Sequence, residues 1–281
     1  MLQLQLSLDL LGGVREALRL GFLPTLRAIF KTPSLLFHPQ RIAYEYMYHV
    51  WAVFGPGIDE NAREVKSSFL TPNAYGTVLD IGAGEISMPI LCSTTLIMVL
   101  LSRTGYGHTA KYLDPSKVTK YIALEPNTAM HAKIREIAGE AGFSEDAGTL
   151  LIVPYGAEEI GFVISALGGP HTIDTVTSVL SLCSVPKPQE TMQALSERAL
   201  KPGGQLLFYE HVVSRRSDVA LMQRLWTPVW SWSFGGCCLD RPTDIWLENL
   251  DIWESKDLWD EAGESEERLF WHRGGKLVKA S

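Results

Sequence analysis

The stretch from Thr77 to Pro89 constrains the fold of this chain more than any other. Its sequence is Thr-Val-Leu-Asp-Ile-Gly-Ala-Gly-Glu-Ile-Ser-Met-Pro. A short apolar run ends near Asp80 and breaks into Gly82-Ala83-Gly84 before a long apolar segment, which predicts a strand, a tight turn and a helix. Because glycine has no side chain, the backbone of such a turn can approach a ligand closely. The pattern therefore predicts a nucleotide-type binding turn in an α/β domain.

The residues around this turn separate two classes of binding protein. A dinucleotide-dependent reductase needs a third glycine where this chain has Ser87, and the sequence also lacks the Tyr-x-x-x-Lys pair of many reductases. Asp80, two residues before the first glycine, instead resembles the first motif of S-adenosylmethionine-dependent methyltransferases. That resemblance implies S-adenosylmethionine as the cofactor, with Asp80, Gly82, Ala83 and Gly84 at its binding turn.

Length, charge and cysteine usage narrow the functional class. A chain of 281 residues with 46% hydrophobic residues can bury one large core, so we expect a single domain with additions. The net charge of −7 and the lack of a basic stripe argue against a nucleic-acid partner. The four cysteines show no Cys-x-x-Cys spacing, so we expect neither a metal site nor a disulfide framework. A reducing, cytoplasmic location follows as the default.

The first residues carry two different patterns. Met1 to Leu10 alternates leucine with polar residues, which predicts a strand with one apolar face, and from Val14 the apolar spacing becomes that of an amphipathic helix. We expect this arm to pack on the domain or on a second copy of the chain as a homodimer. Membrane association is the less favoured alternative, and no apolar run reaches the ~18 to 20 residues of a spanning helix.

A second N-terminal segment, from Arg41 to Phe54, is rich in aromatic residues. Small-molecule methyltransferases often use N-terminal helices as a lid, so this belt is a candidate substrate wall; packing against the sheet is the alternative. We assign residues 1–76 to an arm and helical lid and residues 77–281 to the core domain. The candidate substrate contacts in the belt are Tyr44, Tyr48 and Trp51, and His49 is a secondary candidate for a base.

The strands that follow the glycine turn supply further cofactor candidates. Tyr121 to Leu124 is predicted as the second strand and ends at Glu125, whose carboxylate can accept hydrogen bonds from both ribose hydroxyls of an adenosyl group. The sequence Glu125-Pro126-Asn127 resembles the ribose turn of the methyltransferases. After the third strand, Leu150 to Pro154, the resemblance assigns contacts with the adenine ring to Gly156, Ala157 and Glu158.

The second half of the chain carries the more specific resemblance. We predict a fourth strand over His171 to Leu182, a helix over Gln189 to Leu200 and a fifth strand over Gln205 to Val212. Leu-Cys-Ser-Val after the fourth strand, Lys-Pro-Gly-Gly after the helix and Phe-Tyr-Glu-His-Val in the fifth strand resemble the ubiquinone-biosynthesis-like methyltransferases. Leu180 and Ser181 are further cofactor candidates.

Within that family the chain most resembles the branch of the microsomal alkyl-thiol methyltransferases. The likeness continues through Trp-Thr-Pro-Val-Trp and Gly-Cys-Cys-Leu-Asp-Arg, which ends at Arg241, and Leu250 to Trp259 and Leu269 to Val278 are the last predicted strands. The resemblance implies a Rossmann-like α/β fold, with a seven-stranded, mostly parallel sheet and helices on both faces. It implies methyl transfer to an oxygen, sulfur or nitrogen atom of a small, largely apolar metabolite, and we expect a reaction of secondary metabolism.

Three positions depart from the pattern. Ile86 stands where the first motif of the family has its third glycine, and Cys238 and Asp240 replace the Asn and Thr of the branch. A β-branched residue at position 86 would crowd the methionine half of the cofactor. Ile86 keeps open a methyltransferase fold that catalyses a non-methylating cyclisation or elimination. A non-catalytic partner subunit, with the alternating N-terminal segment as its interaction strand, is a second alternative.

The candidate catalytic group is His211, near the carboxyl end of the fifth strand. Ligands of open α/β sheets bind at that end, and an imidazole titrates near neutral pH, so it can remove a proton from an acceptor. Glu210 would orient it or contact substrate, and the alternative is a histidine that only braces the strand end. Cys183, Trp230 and Cys237 complete the candidate substrate contacts.

Overall fold

The computed structural model describes residues 2–81 and 108–281 of the chain. The glycine turn at Gly82, Ala83 and Gly84 and the helix predicted from Pro89 to Leu101 therefore lie outside the described residues. Ile86 lies outside them too.

A seven-stranded sheet forms the centre of the protein, as the sequence predicted. The strand order is β3-β2-β1-β4-β5-β7-β6; the first five are parallel, and β7 runs antiparallel to both of its neighbours. The strands are β1 (Gly76–Asp80), β2 (Val118–Leu124), β3 (Leu150–Val153), β4 (Ile173–Val179), β5 (Leu200–Val212), β6 (Trp253–Asp260) and β7 (Trp271–Lys279).

Helices cover both faces of this sheet. They are α1 (Leu2–Lys31), α2 (Pro39–Asn61), α3 (Arg63–Asn73), α4 (His131–Glu140), α5 (Ile160–Ala166), α6 (Pro188–Arg198), α7 (Ser217–Ser233) and α8 (Thr243–Glu248). One face of the sheet packs on α5, α6 and α8, and the other packs on α3 and α4. Since parallel strands are buried on both faces, their sequences are continuously apolar or β-branched rather than alternating. None of the helices among the described residues combines the length and apolar character that crossing a membrane requires.

The prediction of an N-terminal strand is wrong, because Leu2–Lys31 is one helix. Leucine and glutamine, which dominate the first residues, are both strong helix formers, and no β-branched residue occurs before Val14. Leucine at every second position also places leucines four residues apart, which suits a helix face as well as a strand face. Leu10 and Val14 are buried, and Leu8 and Leu11 are exposed.

A second helix boundary also differs from the prediction. The sequence Gly55-Pro56-Gly57 predicts the end of one helix, with a polar helix from Asp59 to Phe69 after it. In the structure α2 instead runs through these three residues to Asn61, and the break lies at Ala62. Because Met47, Val50 and Gly55 are buried on α2, packing of its inner face outweighs the local helix-breaking tendency of the three residues.

The arm helices α1 and α2 pack closely against each other and against α7. They share a buried apolar cluster with α7 and with the chain that follows it. Gly21 of α1 lies directly against the ring of Tyr46 of α2: a Cβ atom at position 21 would stand 2.3 Å from its Cε2 atom. The arm is therefore docked on the domain, and the absence of a side chain at position 21 sets the distance between its two helices.

We predict that Gly21→Ala destabilises the protein by about 1 to 3 kcal/mol, because Tyr46 is buried and its ring has to move to admit the methyl group. Gly12→Ala, in the same helix, is the matched control. A Cβ at position 12 meets nothing within 4 Å, so this change should be neutral or stabilising by up to about 1 kcal/mol. Thermal or chemical unfolding measures both, and equal effects would contradict the close packing of α1 on α2.

A buried ionic network joins the arm to the core. Asp59 of α2 accepts hydrogen bonds from Lys66 Nζ at 2.7 Å, from Tyr112 Oη at 2.9 Å and from Lys111 Nζ at 3.3 Å, and His108 Nδ1 lies 3.3 Å from it. Burial raises the pKa of Asp59, but the hydrogen bonds and positive charges of His108 and Lys66 more than offset it, and the net pKa lies well below its usual value.

We predict that Asp59→Ala lowers the free energy of unfolding by about 3 to 5 kcal/mol, since it leaves the buried Lys66 without its partner. Glu60→Ala is the control, because Glu60 is exposed and pairs only with exposed Arg63 among the described residues; it should cost less than about 1 kcal/mol. The stabilisation by Asp59 should be present above its unfolded-state pKa and lost as pH falls below it, since the folded-state pKa is lowered. A pH-independent cost would contradict the ionic role of Asp59.

Candidate active site at the carboxyl edge of the sheet

The predicted cofactor and catalytic residues come together at one edge of the sheet. Strands β1, β2, β3, β4 and β5 are parallel, so their carboxyl ends meet at the same edge. The chain order reverses between β1 and β4, which creates a crevice of the kind where open α/β sheets bind ligands. Asp80 ends β1, Glu125 follows β2, and His211 lies one residue before the end of β5.

Asp80 is fixed by the two strands that flank β1. Its carboxylate is fully buried and accepts hydrogen bonds from Tyr121 Oη of β2 at 2.8 Å and from Thr177 Oγ1 of β4 at 3.0 Å. The last described residue before the glycine turn, Ile81, continues the ladder by donating its backbone N–H to the carbonyl of Thr177. The start of the predicted cofactor turn is thus fixed from both sides.

Glu125 is also fully buried, at the end of β2. One carboxylate oxygen accepts the backbone N–H of Asn127 at 2.6 Å, and the carbonyl of Glu125 accepts from His131 Nε2 at 2.7 Å. Pro126 lies between Glu125 and Asn127 in this turn. A carboxylate oriented by its own turn is the acceptor that a pair of ribose hydroxyls requires, so this edge fits the adenosyl group of the expected cofactor.

The helix α2 reaches the same edge. Burial raises the pKa of Tyr44 well above its usual range, and the negative charge of Glu125 raises it further, with smaller contributions from Glu159 and Glu158. Glu158 lies over the turn that follows β3: a Cβ atom on Gly156 would stand 2.4 Å from the carboxylate of Glu158. Ala157, between these two residues, is fully buried. The predicted ribose and adenine contacts and the aromatic belt are therefore neighbours.

Glu210 holds the loop that follows β4. Its Oε1 atom accepts hydrogen bonds from Ser178 Oγ at 2.8 Å, from Ser181 N at 2.9 Å and from Leu182 N at 3.2 Å. Leu180, between them, has a left-handed backbone with φ of +53°, a costly conformation for a branched side chain that turns the following N–H groups toward the carboxylate.

Glu210 is a weaker acid than an ordinary glutamate, and its side chain points away from that of His211. Burial, with a smaller contribution from nearby Cys183, raises the pKa of Glu210 to about 7. Successive residues of a strand point to opposite faces, so the side chains of Glu210 and His211 lie on opposite sides of the sheet. Glu210 contacts the loop after β4, and the orienting role toward His211 stays a prediction.

Three chemically reactive side chains converge beside this loop. Cys183, His211 and Cys237 are all buried, and their ligand-type atoms lie within 4.8 Å of one another. His211 Nε2 lies 3.2 Å from Cys237 Sγ. Nδ1 of the same imidazole is buried and makes no hydrogen bond to a described residue. The sequence suggested each residue separately but did not predict that they form one cluster.

Backbone contacts fix the two cysteine loops relative to each other. Cys238 N donates to the carbonyl of Cys183 at 2.8 Å. Arg241 Nη1 donates to the carbonyls of Leu182 and Val185, each at 2.6 Å. In the sequence Arg241 stands out only as the end of a motif, because nothing local indicates that its partners are backbone carbonyls almost sixty residues away.

The arm covers this cluster with apolar side chains. Cys183 and Cys237 belong to the same buried cluster as Leu10 and Val14 of α1 and Met47 and Val50 of α2. Trp230 of α7 belongs to it as well and stacks on Phe234, with ring centroids 4.0 Å apart. Of the predicted substrate contacts, Trp230, Cys183 and Cys237 are therefore brought together.

The remaining residues of the aromatic belt lie elsewhere on α2. Trp51 packs against the core cluster under α3 and α4, and Tyr48 is partly exposed. His49 pairs with Glu45 at 3.2 Å within the helix and makes an edge contact with Tyr48. No described contact joins His49 to the cysteine cluster, and its role as a base stays a prediction.

A comparison with protein families decides the class of the chain. Residues 57–246, more than half of it, match the family described as "Methyltransferase domain". The chain belongs to this family. The expected class I methyltransferase fold is confirmed, and the cofactor of such a domain is S-adenosylmethionine.

Curated relatives agree with the predicted branch. The chain is 40% identical to the human thiol S-methyltransferase TMT1B over 84 residues, which is 30% of this chain and 34% of that protein. It is 34% identical to the human thiol S-methyltransferase TMT1A over 124 residues, which is 42% of this chain and 50% of that protein. The chain thus matches about a third to a half of the length of these relatives.

A solved structure supports the fold over nearly the whole chain. A putative O-methyltransferase from Nostoc punctiforme superposes with a TM-score of 0.53 and 10% identity, covering 95% of this chain and 72% of the other. At this identity the likeness extends to the fold alone.

We predict that Glu125→Ala weakens the binding of S-adenosylhomocysteine by about 1.5 to 3 kcal/mol, the usual range for hydrogen bonds to a charged group. Glu136→Ala, an exposed carboxylate on the following helix that pairs with Lys133, is the control and should bind normally. Isothermal titration calorimetry measures both. Unchanged affinity in the Glu125 variant would remove this carboxylate from the cofactor site.

Proposed function

We propose that the protein transfers the methyl group of S-adenosylmethionine to the sulfur of a small, largely apolar thiol. One observation carries the proposal: the Cys183, His211 and Cys237 cluster lies at the cofactor edge of the sheet and is covered by the apolar faces of α1 and α2. The likeness to thiol S-methyltransferases supports sulfur among the heteroatoms that the fold can methylate.

In this reaction the main task of the protein is to position the methyl donor and the acceptor. The cofactor supplies a methyl group on a positively charged sulfur, which is open to in-line displacement. Holding donor and acceptor collinear in a dry pocket contributes up to about 7 to 11 kcal/mol to the rate. In this chain Glu125 would hold the ribose, Asp80 the turn, and the apolar faces of α1 and α2 would exclude water from the acceptor.

A thiol must lose its proton to become a good nucleophile. His211 is the candidate acceptor of that proton, since its imidazole is buried in the cluster and Nδ1 has no hydrogen bond to a described residue. Phe270 packs edge-on against the imidazole with ring centroids 5.5 Å apart, which holds the ring in one orientation. Glu210 supports the site by positioning the loop that carries Cys183.

The expected cellular compartment, metabolic role and oligomeric state accompany this proposal. The cysteines at positions 183, 237 and 238 are thiols rather than half-cystines, which suits a reducing compartment such as the cytoplasm. A role in secondary metabolism stays a prediction. Homodimerisation through the arm is kept as a prediction, although α1 is a helix and offers no strand edge. The cyclisation alternative depended on Ile86, outside the described residues, and no described contact favours it.

The direct test is incubation with trideuteromethyl-labelled S-adenosylmethionine and a matched panel of acceptors: an alkyl thiol, and the alcohol and amine of the same chain. Mass spectrometry should find the labelled methyl group on the thiol alone. Labelling of the alcohol or amine in preference to the thiol would contradict the proposal. Intact S-adenosylhomocysteine binding with no labelled product from any thiol in the panel would contradict it as well.

We predict that His211→Ala lowers turnover of an alkyl thiol by about 10²- to 10⁴-fold, with cofactor affinity nearly unchanged, because the lost step is proton removal. An aryl thiol that is already ionised at the assay pH provides the control, since its methylation needs no base and should fall far less. Rate–pH profiles with both acceptors measure the effect. A variant that keeps more than about a tenth of its alkyl-thiol turnover would exclude His211 as the base.

A further inference from the structure

Two thiols and an imidazole in a buried cluster form a ligand set as well as a proton-transfer site. Cys183 follows β4, His211 lies in β5 and Cys237 follows α7, so the three come from separate parts of the chain and meet within 4.8 Å. All three are buried, with exposed fractions of 0%, 4% and 2%. We propose that they bind a zinc ion and leave its fourth coordination position open to the acceptor thiol.

The two sulfur atoms and the imidazole nitrogen favour zinc over other metal ions. Thiolate sulfur is a soft ligand that favours zinc over magnesium or calcium, which prefer oxygen, and two sulfurs with one imidazole form a typical tetrahedral zinc set. Ideal zinc bonds of ~2.3 Å to sulfur and ~2.0 Å to nitrogen put tetrahedral donors roughly 3.5 Å apart. The 3.2 Å between His211 Nε2 and Cys237 Sγ is close to that spacing.

The three ligands are held by rigid parts of the fold. His211 lies in β5, where it is paired with His272 of β7. The Cys183 loop is fixed by Glu210 on one side and by Arg241 on the other, and Cys238 N bonds to the Cys183 carbonyl. A metal site needs its ligands held in place by the surrounding structure in this way.

The number of ligands distinguishes a catalytic from a structural site. Structural zinc ions take four protein ligands, whereas catalytic ones take three and keep the fourth position for water or substrate. Within residues 2–81 and 108–281, the cluster contains three histidine, cysteine or carboxylate ligands. It lies beneath the arm and at the cofactor edge of the sheet, where the acceptor has to bind.

The charge of the site suits a thiol acceptor. Two cysteine thiolates balance the two positive charges of zinc, and the imidazole is neutral, so the buried site has no net charge. When the acceptor thiol binds, its proton is released to solvent, since zinc lowers the pKa of a coordinated group. The bound thiolate gives the site one negative charge, which complements the positive charge of the cofactor sulfonium. This role in activating the acceptor rests on the proposed function; the metal site itself does not.

The transfer step balances in atoms and charge. The acceptor sulfur forms a bond to the methyl carbon, and the bond from that carbon to the cofactor sulfur breaks with its electron pair left on the cofactor. The products are S-adenosylhomocysteine and a neutral thioether, which binds zinc more weakly than a thiolate does and so can leave. In the zinc-bound protein His211 contributes as a ligand and the ion promotes loss of the acceptor proton, so the role of His211 as the base applies only to protein without metal.

Metal analysis of the purified protein tests the site directly. Wild-type protein prepared without chelators should contain about one zinc ion per chain, and Cys183→Ser, His211→Ala and Cys237→Ser should each lose most of it. Cys238→Ser is the matched control, because this adjacent thiol donates to the carbonyl of Gly236 and is not a member of the cluster; it should keep its zinc. Equal loss in the control variant would overturn the assignment.

A cobalt experiment needs no variant and so does not depend on mutant folding. Wild-type protein, freed of metal and titrated with Co²⁺, should develop the strong visible absorption of a tetrahedral site and thiolate-to-cobalt charge-transfer bands after one equivalent. An alkyl thiol should shift these bands, and the alcohol of the same chain should not. Wild-type protein with less than about a tenth of a zinc ion per chain and without charge-transfer bands on cobalt addition would overturn the proposal.

The outcomes for the metal and for the reaction are separable. Stoichiometric metal in a protein that methylates no thiol would support the site and contradict the proposed function. Thiol methylation at full rate in metal-free protein would contradict the zinc site and leave the proposed function standing. Loss of methylation on chelation, restored by zinc but not by magnesium, would support both.

Discussion

The geometry of the site depends on the hydrogen bonds that the Glu210 carboxylate accepts from the chain after β4. A single oxygen accepts hydrogen bonds from Ser178 Oγ and from the N–H groups of Ser181 and Leu182, and Leu180 between them has a left-handed backbone. The loop then turns back beside β5 and brings Cys183 next to His211. A buried carboxyl oxygen that accepts three hydrogen bonds can hold such a turn, because breaking them would leave buried polar groups without partners.

The apolar faces of α1 and α2 cover the carboxyl edge of the sheet and exclude water from the site. Helices α1 and α2 bury the cysteine cluster and also bring Tyr44 near the carboxylate at the ribose position. Excluding water strengthens the electrostatic interactions of the groups beneath, including those between thiolates and a cation. The same packing makes the arm part of the site, since the apolar cluster shared with α7 and the hydrogen bonds of Asp59 to Tyr112 and Lys111 join it to the core domain.

The sequence predicted the sheet better than the site. Strand positions and the carboxylates at their ends, Asp80 and Glu125, follow from local apolar runs and turns, so they could be assigned without the structure. The N-terminal helix was missed because leucine at every second position fits either periodicity. The Cys183, His211 and Cys237 cluster could not be predicted as a unit, because its members approach each other only through loops that Glu210 and Arg241 fix at long range.

The central claim is that the methyl donor and the cysteine cluster face each other across one pocket. A crystal structure with S-adenosylhomocysteine, collected also at the zinc absorption edge, measures this directly. The account predicts that the cofactor sulfur points toward Cys183, His211 and Cys237, with room between them for one acceptor sulfur at the ~3 to 3.5 Å approach distance of a methyl transfer. A cofactor sulfur that opens toward the opposite face of the sheet, with the cluster sealed from it, would contradict the account.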